Sequence, residues 1–200
     1  MLKIIVITRP EFFEGEMLLV NRLFSEGMER LHLRKPKATE QELAAWIEQV
    51  EPPFRRRIVL HDHHALANTY SLGGIHLNSR NPEPPQWVGE AKASRPFTVS
   101  RSCHSIEEVR TYKPLCDYLF LSPIYDSISK EGYGAAFSRE ALESARQEGL
   151  LQDNVYALGG IAPDKLPEVE QFGFAGAAML GAVWGNPYCK IGNVTGGYSK

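Results

Sequence analysis

Eight short runs rich in aliphatic and β-branched residues recur along the chain: LKIIVIT, RLHL, RIVLH, GIHL, FTVS, YLFLS, VYALGG and GAAMLGAVW. Their length and composition are those of strands. Between most of them lie charged segments with helical spacing, such as TEQELAAWIEQV (39–50), SIEEVRTY (105–112) and SREALESARQEG (138–149). The last is opened by Ser138 as an N-cap and closed by Gly149. Strand and helix therefore alternate from end to end, which implies right-handed βαβ units and a parallel sheet. Eight repeats favour a closed α/β barrel, the (β/α)8 or TIM barrel, over an open doubly wound sheet. At 200 residues the chain is at the short end for that barrel, so several helices must be brief. The segment 81–93, interrupted by Pro82, Pro84 and Pro85, is one place for abbreviation.

No linker composition divides the chain. The expectation is one barrel domain over residues 1–186 and a polar, Gly-rich tail over 187–200. With 43% hydrophobic and 23% charged residues and a net charge of -2, the composition is that of an ordinary globular domain. A nucleic-acid partner is not expected, because phosphate-backbone binders carry a basic excess or stripe. The one dense basic cluster, Arg55 to Arg57, reads as a solvated strand entrance. Three cysteines, Cys103, Cys116 and Cys189, make no CxxC pair and point to a reducing compartment. The N-terminal apolar run is too short for a signal peptide, and no stretch approaches the roughly 20 apolar residues that span a bilayer. The expectation is a cytoplasmic protein with no membrane partner; a homo-oligomer is left open.

In a barrel strand, alternate residues point to the interior and to the surrounding helices, and polar groups at the C-terminal end of the interior set lie in the mouth. In the second strand Leu31 and Leu33 oppose His32 and Arg34. In the fourth, Ile75 and Leu77 oppose His76 and Asn78. In the fifth, Val99 opposes Ser100, whose face continues to Ser102 and His104. Polar groups on the interior face of several strands imply a site, since packing alone would favour Val, Ile and Leu there.

The third strand ends LHDHH. His61, His63 and His64 with Asp62 resemble a metal cluster, but no second ligand pair at a familiar zinc interval follows. A lone Asp62 at a strand end suits Mg²⁺ better, because that ion takes few carboxylates and completes its shell with water and phosphate. The seventh strand ends in Gly159 and Gly160, and Gly181 stands at the corresponding place on the eighth. Such loops offer bare backbone N–H groups to a phosphate. The loop after the sixth strand carries Ser127, Ser129 and Lys130, two hydroxyls and a mobile point charge suited to neutralising phosphate.

Taken in order, LHLRK, HD, GIHL, SCHSIEEV, SPIYDSISK, ALGGI and GAAMLGAV resemble the thiamine-phosphate synthase superfamily, which includes the synthase (pyrophosphorylase) and the thiazole tautomerases. The resemblance implies a TIM barrel in thiamin biosynthesis that handles phosphorylated pyrimidine and thiazole substrates. It implies that Arg34, Ser102 and Lys130 are catalytic and that His32, which stands where the family often has Gln, binds substrate with Ser127 and Ser129; the interior parity adds His76 to the substrate-binding set, and His104 is the catalytic acid/base candidate. Gly160, Leu180 and Gly181 fall at backbone phosphate contacts, beside Gly159 of the same strand end, and Asp62 falls at a Mg²⁺ ligand. Two departures separate the activities. The chain reads Lys35-Pro36-Lys37 where the synthase has an acidic residue and then a Lys, and NSRN leaves Asn81 at the place of a second metal carboxylate. A synthase, using Mg²⁺, is the first expectation. The alternatives are a tautomerase, an isomerase with no cofactor and His104 as acid and base, and a non-catalytic binder of thiazole or thiamin phosphates.

Overall fold

The computed structural model describes residues 2–126 and 136–184. Within them eight parallel strands close into a barrel in chain order. These are β1 (Lys3–Ile7), β2 (Leu31–Leu33), β3 (Ile58–Leu60), β4 (Gly74–Leu77), β5 (Thr98–Cys103), β6 (Tyr118–Leu121), β7 (Val155–Ala157) and β8 (Gly176–Met179). The helices between and after them are α1 (Glu16–Ser25), α2 (Glu40–Glu48), α3 (Ala65–Thr69), α4 (Val88–Ser94), α5 (Ile106–Tyr112), α6 (Arg139–Gln147), α7 (Leu166–Gln171) and α8 (Gly181–Trp184). The expected closed barrel with brief helices is what forms, and all eight strand runs become strands. The end of the last run differs: GAVW coils into α8 rather than extending β8. The expected tail, 187–200, lies outside the described residues.

Local chemistry fixes several helix starts. Thr39 and Glu42 form a capping box on α2, with Glu42 N–H donating to Thr39 Oγ1 at 3.2 Å and Thr39 N–H to Glu42 Oε2 at 2.7 Å. Ser105 and Ser138 cap α5 and α6 by accepting from the amides of Glu108 and Ala141. Gly149, at φ 71°, follows the last turn of α6.

The interior divides by parity. Leu31, Leu33, Ile75, Leu77, Val99 and Cys103 belong to the large shell packed between strands and helices. Ile5, Ile7, Tyr118, Phe120, Tyr156 and Ala178 fill the barrel itself. Phe120 also packs against the buried rings of His32 and His76, at centroid distances of 4.8 and 5.0 Å. Two glycines permit close approach, Gly74 of the neighbouring strand at Thr98 and Gly176 of the large ring of Tyr156. A Cβ on Gly74 would lie 2.3 Å from Thr98 O, and one on Gly176 would lie 2.2 Å from Lys3 O and 2.6 Å from Tyr156 Cε1. Tyr156 thus takes the volume that a side chain on β8 would need.

Gly176→Ala is therefore an overpacking change and should destabilise the fold by about 2 kcal/mol or more. Gly89, inside α4, has nothing within 4 Å of a built Cβ. Gly89→Ala should stabilise by about 0.5–1 kcal/mol through helix propensity. Urea midpoints of the two variants should move in opposite directions from wild type.

Candidate functional site at the C-terminal rim

Three imidazoles from three strands meet inside the barrel. His32 extends from β2, His76 from β4, and His61 follows β3 on the inner face of Val59; all three are buried. His32 Nδ1 lies 2.9 Å from His61 Nε2, and its Nε2 lies 2.6 Å from Tyr118 Oη. His76 contacts Ser100 Oγ at 2.8 Å through Nδ1 and Ser102 Oγ at 2.9 Å through Nε2. The His61 and His76 rings stack with centroids 4.2 Å apart. Burial is the main cause that holds all three pKa values below the usual histidine range, to about 3 for His76; repulsion from His76 adds to it for His32 and His61, and repulsion from His64, Arg101 and Arg34 adds to it for His76. The floor is consequently neutral: each close pair shares one N–H or O–H and one lone pair.

The ring nitrogens of this trio come within 4.8 Å of one another, the proximity a metal would need. Hydrogen bonds already occupy both nitrogens of His32 and of His76, so packing and hydrogen bonding account for the cluster. The adjacent histidines of LHDHH diverge instead. His63 is exposed and bonds Ala38 O at 3.2 Å, while His64 reaches His76 O at 3.3 Å. The signal for His61 lay in the parity of β3, where Val59 and His61 share the inner face.

Above this floor, β2 delivers Arg34. Its backbone is tied to the end of β1, with Arg34 N–H donating to Thr8 Oγ1 at 2.9 Å and Thr8 Oγ1 donating to Arg34 O at 3.1 Å. Burial, then the charge of Arg80, lowers the Arg34 pKa, while Asp62 and Glu11 oppose the shift. The neighbouring Lys35 takes the other parity. Its Nζ is bound by the Glu16 carboxylate of α1 at 2.6 and 2.9 Å and by Glu11 O at 2.8 Å, and Trp46 Nε1 donates to the same carboxylate at 3.1 Å. Lys35 is 1% exposed. It is a structural cation outside the barrel and is not available to replace the displaced lysine of the synthase pattern.

Asp62 follows His61 at the rim. Arg80 forks onto it, with Nε 3.0 Å from Oδ1 and Nη2 2.9 Å from Oδ2, and Asn81 Nδ2 donates to Oδ1 at 3.1 Å. Magnesium needs oxygen ligands in near-octahedral array. The donor set here, one carboxylate with both oxygens engaged by a guanidinium and an amide, does not fit that ion.

On the opposite side of the rim, His104 follows β5 and is exposed. Its Nδ1 lies 3.0 Å from Ser122 O at the end of β6. A carbonyl only accepts, so Nδ1 carries the proton and Nε2 is left as the acceptor of the neutral ring. Ser122–Asp126 then packs on the end of β7, with Ile124 N–H donating to Leu158 O and Tyr125 N–H to Gly159 O. Gly159 and Gly160 have φ values of 95° and 64°, and a Cβ on either would strike Pro123 or Asp126 O at 2.8 or 2.3 Å. This packing alone demands both glycines. Leu180, half-buried, leads into α8 at Gly181. Ser127, Ser129 and Lys130 lie outside the described residues.

A closed parallel barrel with arginines at its C-terminal rim over a buried floor of neutral imidazoles defines a protein of the (β/α)8 class. The sequence pattern described as thiamine monophosphate synthase matches residues 4–183, and the chain belongs to that family. A thiamine-phosphate synthase of Bacteroides fragilis is 26% identical over 78% of this chain and 79% of its own. One of Syntrophomonas wolfei is 25% identical over 90% and 87%. The crystal structure of thiamine phosphate pyrophosphorylase from Bacteroides thetaiotaomicron superposes with TM-score 0.80 at 36% identity, covering 96% of this chain and 92% of that one. No helix among the described residues is long and apolar enough to cross a membrane.

The neutral histidines bear on stability. Their pKa values are lower folded than unfolded, so the unfolded chain binds more protons once the pH falls below about 6.5, and stability present above that value is lost in acid. Three such groups should remove about 4 kcal/mol between pH 7 and pH 5.5. Urea unfolding at the two pH values checks this; equal stability would mean that the trio already carries protons in the fold.

Proposed function

We propose that this chain is a thiamine-phosphate synthase of thiamin biosynthesis, a transferase that joins hydroxymethylpyrimidine diphosphate to thiazole phosphate and releases diphosphate. The observation that carries the reading is the cationic rim set over a neutral polar floor: Arg34 from β2 above His32, His76 and Ser102, in a chain of this family. The floor carries no charge, which suits a neutral heteroaromatic ring. The rim supplies the charge that departing diphosphate requires.

In this reading the carbon–oxygen bond to diphosphate breaks with its electron pair leaving on oxygen, and the ring nitrogen of thiazole phosphate supplies the pair for the new carbon–nitrogen bond. Arg34 holds diphosphate, joined by Lys130. Ser102, fixed by His76 Nε2, faces the pyrimidine. Ser127, Ser129, Gly159, Gly160, Leu180 and Gly181 receive the thiazole phosphate. Asp62, the carboxylate at the position of the expected Mg²⁺ ligand, is engaged by Arg80 and Asn81.

A second reading is favoured by the geometry of His104. A ring anchored through Nδ1–H on Ser122 O leaves Nε2 as the nitrogen for proton transfer, as a thiazole tautomerase needs. Purified protein should convert hydroxymethylpyrimidine diphosphate and thiazole phosphate into thiamine phosphate, and Arg34→Ala should lower kcat/KM by about tenfold or more. No product at high protein concentration, together with aromatisation of the thiazole tautomer that His104→Ala abolishes, would replace the transferase with the isomerase.

A further inference from the structure

The loop that follows β4 is built to deliver one side chain. Asn78 Oδ1 accepts from the amides of Arg80 and Asn81 at 2.9 and 3.1 Å, and Asn78 Nδ2 donates to His61 O at 2.8 Å. Asn78 and Asn81 also exchange backbone hydrogen bonds of 3.1 Å in both directions. The turn is thereby pinned to the end of β3, one residue before Asp62. Its product is the Arg80 fork on Asp62, supported from the other side by the Asn81 amide.

A guanidinium has five N–H donors, and this fork uses Nε and one on Nη2, leaving three. The Arg80 side chain is 48% exposed against 14% for Asp62, so the carboxylate is the covered partner and the guanidinium faces outward. Arg34 stands close enough for the charge of Arg80 to bear on it, and among the described residues its guanidinium makes no hydrogen bond. Arg34, Arg80 and Asp62 together leave a net charge of +1, Glu11 is the further charge that bears on Arg34, and among the described residues both cations keep unused donors. Two like charges held at one rim with donors to spare are arranged for an anion with several oxygens.

We propose that Arg80 takes, against Asp62, the place of a divalent cation, so that a diphosphate or phosphate group at this rim is held by the Arg80 and Arg34 guanidiniums and binds without a metal ion. The proposal rests on the reading that the mouth receives a phosphorylated substrate, and it assigns the anchoring of that substrate to this chain's own side chains. Asn81 completes the substitution: as an amide it donates to Asp62, where a carboxylate would repel it and recruit a cation.

The test uses inorganic diphosphate and the full chain, with binding followed by calorimetry in excess EDTA and again in Mg²⁺. Wild type should bind diphosphate in EDTA, Arg80→Ala should weaken that binding about tenfold or more, and Arg80→Lys should fall between them because it keeps the charge and loses the fork. Mn²⁺ followed by electron paramagnetic resonance should show no saturable site on wild type and a gained site in Arg80→Ala/Asn81→Asp. Diphosphate binding only when Mg²⁺ is present, binding in neither condition, or equal affinity in wild type and Arg80→Ala would overturn the proposal. Thiamine phosphate formation is scored separately: diphosphate held in EDTA by a protein that makes no product supports Arg80 and sinks the transferase reading.

Discussion

The two-residue alternation of a parallel strand is the constraint from which the rest of this molecule follows. One parity must satisfy a hydrophobic shell shared with the helices, and Leu31, Leu33, Ile75, Leu77 and Val99 do so. The other parity is thereby released from packing against helices and becomes available for rings and hydroxyls that satisfy one another. His32, His76, Ser100 and Ser102 occupy it, closed from below by Tyr118 and Phe120. A slip of one residue in any strand would exchange the two sets, exposing imidazoles to the helix layer and placing leucines at the rim.

That alternation is also why so much of the fold was legible in the chain. Most strand runs have a polar, glycine or proline residue at one boundary or both, and Thr39, Ser105 and Ser138 mark helix starts with side chains that act as written. Helix α1 was less visible. It begins at Gly15 in a left-handed conformation with no side-chain cap, and Leu18 on its face is 80% exposed, which blurs the apolar period. The change from strand to helix in GAVW is set by tertiary contact, in which Trp184 Nε1 donates to Ile7 O at 2.5 Å.

The site was legible in part. Parity placed His32, His76 and Ser102 together, but adjacency in LHDHH drew notice to His63 and His64 when only His61 joins the interior trio. Asp62 was read as a metal ligand because a sequence shows a carboxylate and not its partner; Arg80, eighteen residues later, becomes that partner only through the Asn78 turn. Lys35 shows the same blindness in reverse. A lysine beside Arg34 looks like a second rim cation until α1 brings Glu16 beneath it and Trp46 closes over the pair.

The seating of Pro123 to Asp126 on Gly159 and Gly160 also partitions the rim for protein engineering. Because that contact excludes even a methyl group, the stretch from Ser122 to Asp126 is a fixed plate shared by two neighbouring barrel units. Sequence diversity introduced to alter what the rim accepts must leave the plate and both glycines intact.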